Sequence, residues 1–358
     1  WQEFFDSGIP LTEEEILILG VGGTLSEADI TSISADDVVC RLWYDWSTPS
    51  KYLYTDGWSS TGSPDYTPIL PSQHTPSDND DILLTLNKAW VLQNYPDTAI
   101  GAGIGHGANN AIFKTGGDNG KSYVRADDEE FGLAFYTSSS CTHGAGGPSE
   151  FPRASGDNSP LSSKDIDFDN FTFFFVGEVY GTKDAVVIKF QIKDDSNNYS
   201  MFRLRHKRVN PFAGRYVMDF FVDKSSARTD VTPDTTIDSE CSLDTDIVLI
   251  TGVGSGSGDS KLYKNGDTSD GVTDASSGGG SLKFSQNNAT SGIALGSDFR
   301  FLTTGGTNSL TETAWNWFNT GSGSNDNKMY ELIWYDRELT ADERSAIETH
   351  LINKYDIS

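Results

Sequence analysis

Three carboxylates at alternate positions, Asp165, Asp167 and Asp169, are the best-spaced candidates for chemistry in this chain. In an extended segment they share one face, because side chains alternate with a period of two. Two such groups suit glycoside hydrolysis as acid and nucleophile. Their closely set oxygens equally suit a hard cation, and calcium is the one cofactor the sequence offers. The stretch is not an EF-hand, since Asn170 holds the glycine position and Val176 the final glutamate position. The third reading is a solvated strand edge. Asp78, Asp80 and Asp81 form a looser cluster, as do Asp194, Asp195 and Asn197; a chain with 52 acidic residues produces such groups by chance.

A basic island interrupts this acidity: Arg203, Arg205, His206, Lys207, Arg208 and Arg215. Arg203 and Arg205 share one strand face, opposite Phe202 and Leu204. That face suits an anionic glycan or an acidic neighbour, or is simply a solvated sheet face paired with nearby Asp. Trp58, Trp315 and Trp317 are candidate stacking platforms for sugars, since an exposed indole offers a rigid apolar surface. Trp315 and Trp317 lie just before an apolar strand, so core packing accounts for at least one of them.

Other motifs are excluded. Gly116-Gly117-Asp118-Asn119-Gly120-Lys121-Ser122 resembles a phosphate loop, but Thr115 stands where its first glycine is needed. Asp118-Asn119-Gly120 reads better as a hairpin turn. Gly103-x-Gly105-x-x-Ala108 is a loose dinucleotide match without the alternating strands and helices such a site requires. The histidines, His74, His106, His143, His206 and His350, have no metal-binding spacing. His350 is expected to face solvent. Cys40, Cys141 and Cys241 form neither a disulfide framework nor a zinc pattern, and read as buried or half-buried thiols.

The net charge of −26 repels nucleic-acid phosphates and anionic membranes. No apolar stretch is long enough to cross a bilayer. The 358 residues are 36% hydrophobic and 12% aromatic, enough to bury a large core. Thirty-six Gly, with many Ser, Thr, Asn and Asp, imply many turns and favour an all-β fold. The chain begins at Trp1 rather than Met, so the expectation is that something precedes it in the gene or was trimmed.

The elements that must position these residues are legible in places. Residues 1–40 read as an N-terminal arm with short helices, or equally as a helical cap on the sandwich, the first helix opened by Thr12 as cap with Glu15 three residues on. Residues 41–358 read as one sandwich, with large loop excursions over about residues 58–165, for which a small inserted subdomain is the alternative. Phe171–Tyr180, Ala185–Ile192, Tyr199–His206 and Tyr216–Val222 are predicted strands, followed by Ile247–Thr251. Asn265-Gly266 is a type I′ hairpin signal. Leu282–Phe284 and Phe299–Leu302 continue the meander. Lys328–Tyr335 reads as a strand buried on both faces. Thr340 and Glu343 then form a capping box, and Ile347, Leu351 and Tyr355 make one apolar helix stripe, widened by Ala346 and Ile352. Such a helix suits a lid over the open end of a sandwich.

Two stretches carry a family resemblance. Tyr335-Asp336-Arg337-x-Leu339-Thr340-x-x-Glu343-Arg344, running into a helix that ends Lys354-Tyr355, resembles the close of laminin G-like (concanavalin A-like) jelly-roll domains. Leu42-Trp43-Tyr44-Asp45-Trp46-Ser47 resembles their opening strand, and Leu262-Tyr263-x-Asn265-Gly266 their hairpin. The pattern is closest to such domains in phage virion and bacterial surface proteins. The resemblance implies an all-β, concanavalin A-like antiparallel sandwich with an N-terminal arm and a short C-terminal helix. It implies a non-enzymatic structural or adhesive role at a virion or extracellular surface, as a capsid decoration or a tail or fibre appendage. The partners implied are other virion or surface proteins in an oligomeric assembly, and polysaccharide. Some glycanases of this fold carry a three-carboxylate strand motif, but with Glu at its outer positions, where this chain has Asp165 and Asp169. A secreted glycan-binding or glycan-cleaving protein, and a bacterial surface-layer or filament subunit, are the alternatives.

Overall fold

The structure, a computed structural model, describes residues 11–18, 40–48, 53–55, 76–80, 82–85, 88–91, 102–103, 112–117, 119–126, 133–136, 170–178, 185–193, 199–210, 213–224, 227–230, 235–239, 247–254, 259–267, 274–275, 292–295, 300–304, 307–311 and 327–358. In chain order the strands are β1 (Cys40–Asp45), β2 (Leu53–Thr55), β3 (Ile82–Thr85), β4 (Ala102–Gly103), β5 (Ile112–Lys114), β6 (Tyr123–Ala126) and β7 (Leu133–Tyr136). Next come β8 (Phe171–Glu178), β9 (Ala185–Lys193), β10 (Tyr199–Asn210), β11 (Ala213–Lys224), β12 (Ala227–Asp230), β13 (Thr235–Ser239) and β14 (Val248–Gly254). The last are β15 (Asp259–Lys264), β16 (Asp274–Ala275), β17 (Gly292–Leu295), β18 (Arg300–Thr304), β19 (Thr307–Thr311) and β20 (Asn327–Tyr335). The helices are α1 (Glu13–Ile18), α2 (Lys88–Val91) and α3 (Ala341–Tyr355).

The fold is an all-β antiparallel sandwich with a C-terminal helix. Among the described residues one eight-stranded sheet runs β16-β15-β14-β8-β20-β6-β5, with β1 also paired to β20. The other runs β12-β11-β10-β9-β17-β7-β4, with β13 paired to β11. β8 sits mid-sheet, and all eight of its residues are buried, as a near-continuous apolar run requires. Phe171, Phe173 and Phe175 point inward; Phe174 and Val176 point outward. The inward rings meet the second sheet directly: Phe171 lies 5.5 Å from Phe202, and Trp334 lies 4.7 Å from Phe190, between centroids. Gly252 makes room for this layer, because a Cβ there would come within 2.1 Å of the Phe173 ring.

The expected helix stripe is present, with Ile347, Leu351 and Tyr355 buried. It does not close an end of the sandwich, as expected from sequence. α3 lies across the outer face of the first sheet, over Phe174, Val176, Leu249, Ile333 and Tyr335. The reason is β20, whose apolar residues occupy both faces and leave an outer layer that needs a cover. The capping box forms as expected: the Glu343 amide donates to Thr340 Oγ1 (3.3 Å), and the Thr340 amide to Glu343 Oε2 (2.8 Å). The same exchange opens α1, between Thr12 and Glu15.

Both predicted turns are real. Gly116 and Gly120 take positive φ (73° and 75°), and the Gly120 amide donates to the Gly117 carbonyl at 2.7 Å. Asn265 and Gly266 have φ of 52° and 74°, the type I′ signature. The side chains of Asn119 and Asn265 donate to the Tyr355 and Ser358 carbonyls at 2.7 and 3.2 Å, which holds the C-terminus between the two turns.

Candidate functional site

Charged side chains gather beneath α3, on the outer face of the first sheet. β1 and β20 pair so that Asp45 stands opposite Glu331. A register shift between Met329 and Glu331 breaks the alternation of β20. Tyr330 and Glu331 consequently both serve the helix side, the re-aiming a β-bulge produces. Two carboxylates directly across a strand pair repel each other. Lys354 of α3 answers both, with Nζ 3.0 Å from Asp45 Oδ2 and 2.7 Å from Glu331 Oε2. Lys88, on the short helix α2, reaches Asp45 Oδ2 at 3.0 Å and Glu13 Oε1 of α1 at 2.7 Å.

Neutral donors complete the cluster. Ser47 gives its amide (3.1 Å) and hydroxyl (2.6 Å) to Asp45 Oδ1, and Thr48 gives its hydroxyl to Oδ2 at 2.7 Å. Trp43 Nε1–H donates to Glu331 Oε1 at 2.6 Å, and the Tyr355 hydroxyl to Oε2 at 2.7 Å. The Lys88 ammonium also lies 4.2 Å from the Trp43 ring centroid, a cation–π distance. The Lys88 and Asp45 side chains are each 1% exposed, while Glu13 is 42% exposed. The cluster is therefore closed on the sheet side and meets solvent at Glu13.

Electrostatics fix the resting charges. Burial alone would raise the Asp45 carboxyl, but Lys354, Lys88, Ser47 and Thr48 together hold it well below the usual range. Burial works against both ammonium groups, yet Asp45, Glu331 and Glu13 raise Lys88, and Glu331 and Asp45 raise Lys354. Acidic and basic side chains alternate along the cluster in the order Glu13, Lys88, Asp45, Lys354, Glu331. Both Asp45 oxygens are taken up by donors from Ser47, Thr48, Lys88 and Lys354.

The sequence candidates fare differently. Trp58, Trp315 and Trp317, and Asp165, Asp167 and Asp169, lie outside the described residues, as do Leu282–Phe284. Arg203 and Arg205 lie on β10, opposite Asp219 and Val217 of β11. The expectation of a solvated face fails at Arg203, which is 6% exposed beside the buried Lys189, whereas Arg205, opposite the buried Val217, is half-buried. Asp78 accepts from the Thr115 amide at 2.8 Å and from Lys114 Nζ at 3.2 Å, so its oxygens serve the β5 turn. His350 was expected in solvent; it is half-buried near the cluster, and burial lowers its imidazole. Among the described residues no three His, Cys, Asp or Glu side chains form a metal-binding group. Cys40 is a buried thiol outside any disulfide.

Sequence reasoning singled out none of Asp45, Lys88, Glu331 and Lys354 as a charge site. The signal was there: Asp45 and Glu331 are lone carboxylates inside strands that otherwise read as buried. A buried charge demands a paired cation.

No family model matches the chain, and no curated protein does either. Solved structures do. The binding domain of botulinum neurotoxin serotype D is 10% identical with a TM-score of 0.37, the match covering 72% of this chain and 51% of that one. The serotype D ligand binding domain in complex with N-acetylneuraminic acid is 9% identical (TM-score 0.38, 72% and 52% covered). The binding domain of Paraclostridial Mosquitocidal Protein 1 is 14% identical (TM-score 0.37, 71% and 52%). The chain spans about half the length of these structures.

Proposed function

We propose that the chain is a non-enzymatic structural and adhesive module of a virion, a capsid decoration or a tail or fibre appendage that contacts surface glycans. The observation that carries this is the use made of the charge cluster beneath α3. Carboxylates and ammonium groups converge there, the ingredients of a reactive site, but they face inward under a helix and take one another as partners. They join both ends of the chain to the middle of one sheet, which suits a module that must hold its shape at a surface. The family-like ends of the sequence and its charge of −26 favour the virion setting over a secreted enzyme.

Protein composition of purified particles tests this. Peptides of the chain should copurify with intact virions through a density gradient; recovery only in the soluble fraction overturns the proposal. Cleavage of a polysaccharide by the purified chain at enzyme-like rates overturns its non-enzymatic part. The adhesive part expects specific glycan-array binding that Trp58→Ala or Trp315→Ala abolishes.

A further inference from the structure

We propose that Lys88 and Asp45 condense into an internal amide, an isopeptide crosslink between α2 and β1. Four observations in one place support it. The amine and the carboxyl group touch, with Lys88 Nζ 3.0 Å from Asp45 Oδ2, an oxygen bonded to the Cγ it would attack, and both side chains are shut away from solvent. Asp45 Oδ1 receives the Ser47 amide and hydroxyl, at 3.1 and 2.6 Å, which is where an oxyanion develops when nitrogen attacks Cγ. Oδ2, the oxygen that must leave, has the Lys354 ammonium at 3.0 Å as proton donor. Glu13 Oε1, at 2.7 Å from Nζ and half-exposed, accepts the proton that frees the nitrogen lone pair.

The step is balanced and redox-neutral. A bond forms between Lys88 Nζ and Asp45 Cγ, and the bond from Cγ to Oδ2 breaks. Two of the three Nζ protons end on Oδ2, which departs as water; the third stays on the amide nitrogen. Glu13 and Lys354 relay them and return to their starting forms. The reaction departs from a resting ion pair, so it is slow and happens once per chain. Fixed contact compensates, since well-oriented intramolecular reactions reach effective concentrations of about 10⁵–10⁸ M. Burial then keeps water from reversing the product. The crosslink closes the chain between positions 45 and 88.

Intact-mass spectrometry of the full-length folded protein tests this directly. Wild type is expected lighter than its sequence mass by one water, with a digest yielding a branched peptide that joins Lys88 to Asp45. Lys88→Arg, which keeps the charge but not the amine, is expected at its full sequence mass. Wild type at its full sequence mass after prolonged incubation overturns the proposal. A water loss that maps elsewhere, including Lys354 to Asp45, overturns it equally. The wild-type measurement decides even where the variant does not fold.

Discussion

The two faces of β20 solve the same burial problem in opposite ways. Inward, Trp334 stacks on Phe171 and Phe173 (4.7 and 5.6 Å between centroids) and meets Phe190 and Phe202 from the other sheet. Outward, Ile333 and Tyr335 share their face with Glu331, and the helix above brings Lys354 and Tyr355 to meet it. The inner face gains stability in proportion to apolar area, with little demand on register. The outer face gains little net energy from its ion pairs, because desolvation offsets their attraction. What it gains is position: the pairs tie Glu13 of α1, Lys88 of α2 and Lys354 of α3 to the carboxylates of β1 and β20 or to one another. Area stabilises the sandwich, and charge specifies how its ends are tied down.

The contrast breaks first at its strongest point. Trp334→Ala removes the centre of the inner layer and is expected to cost about 3–5 kcal/mol, read from urea unfolding and insensitive to salt. Asp45→Ala takes from Lys88 and Lys354 the carboxylate they share, leaving each one acidic partner, and is expected to cost about 3 kcal/mol. Adding Lys88→Met to that variant should recover part of the loss; for the inner face no second substitution of charge would.

Acid separates the faces further. In the chain before any condensation of Asp45 with Lys88, the Asp45 carboxyl is depressed in the fold, against an unfolded value of about 3.9. Its contribution is therefore complete above that value and drains as pH falls toward the folded one. Asp45→Ala should flatten the acid limb of the stability profile, whereas Trp334→Ala should leave its slope unchanged. Glu348 runs the other way. Burial raises its carboxyl despite Thr251 and Arg344, so its stabilising contribution is lost as pH rises through the unfolded value of about 4.3 toward the folded one. Glu348→Gln should raise the neutral-pH urea midpoint slightly, and by less at low pH. Smallest is Thr340→Ala, about 1 kcal/mol through loss of the α3 cap.

Periodicity and punctuation made much of the fold legible. β8, β10, β11, β14 and β20 lie where the apolar runs place them, because long runs bounded by polar turns leave few alternatives. The Thr340–Glu343 box and the Asn265-Gly266 turn were legible because each satisfies a local backbone demand. The charge cluster was not, since it is assembled from residues as far apart as Glu13 and Lys354. No local rule joins them; strand register does, together with a bulge that turns Glu331 outward. The placement of α3 was misjudged for a related reason: an amphipathic stripe states that a helix is covered, not which layer it covers. Arg203 illustrates the converse: alternation sets it on the face opposite Phe202, and it is buried there all the same.

Hydrogen exchange of the native chain measures most directly whether α3 and β20 form one cooperative unit held by the cluster. Amides of Ile347–Tyr355 are predicted to exchange only with global unfolding, at the same free energy as those of Leu332–Tyr335, and to lose that protection selectively in Asp45→Ala. Fast exchange of the helix while the strand stays protected in the wild-type chain would contradict the account.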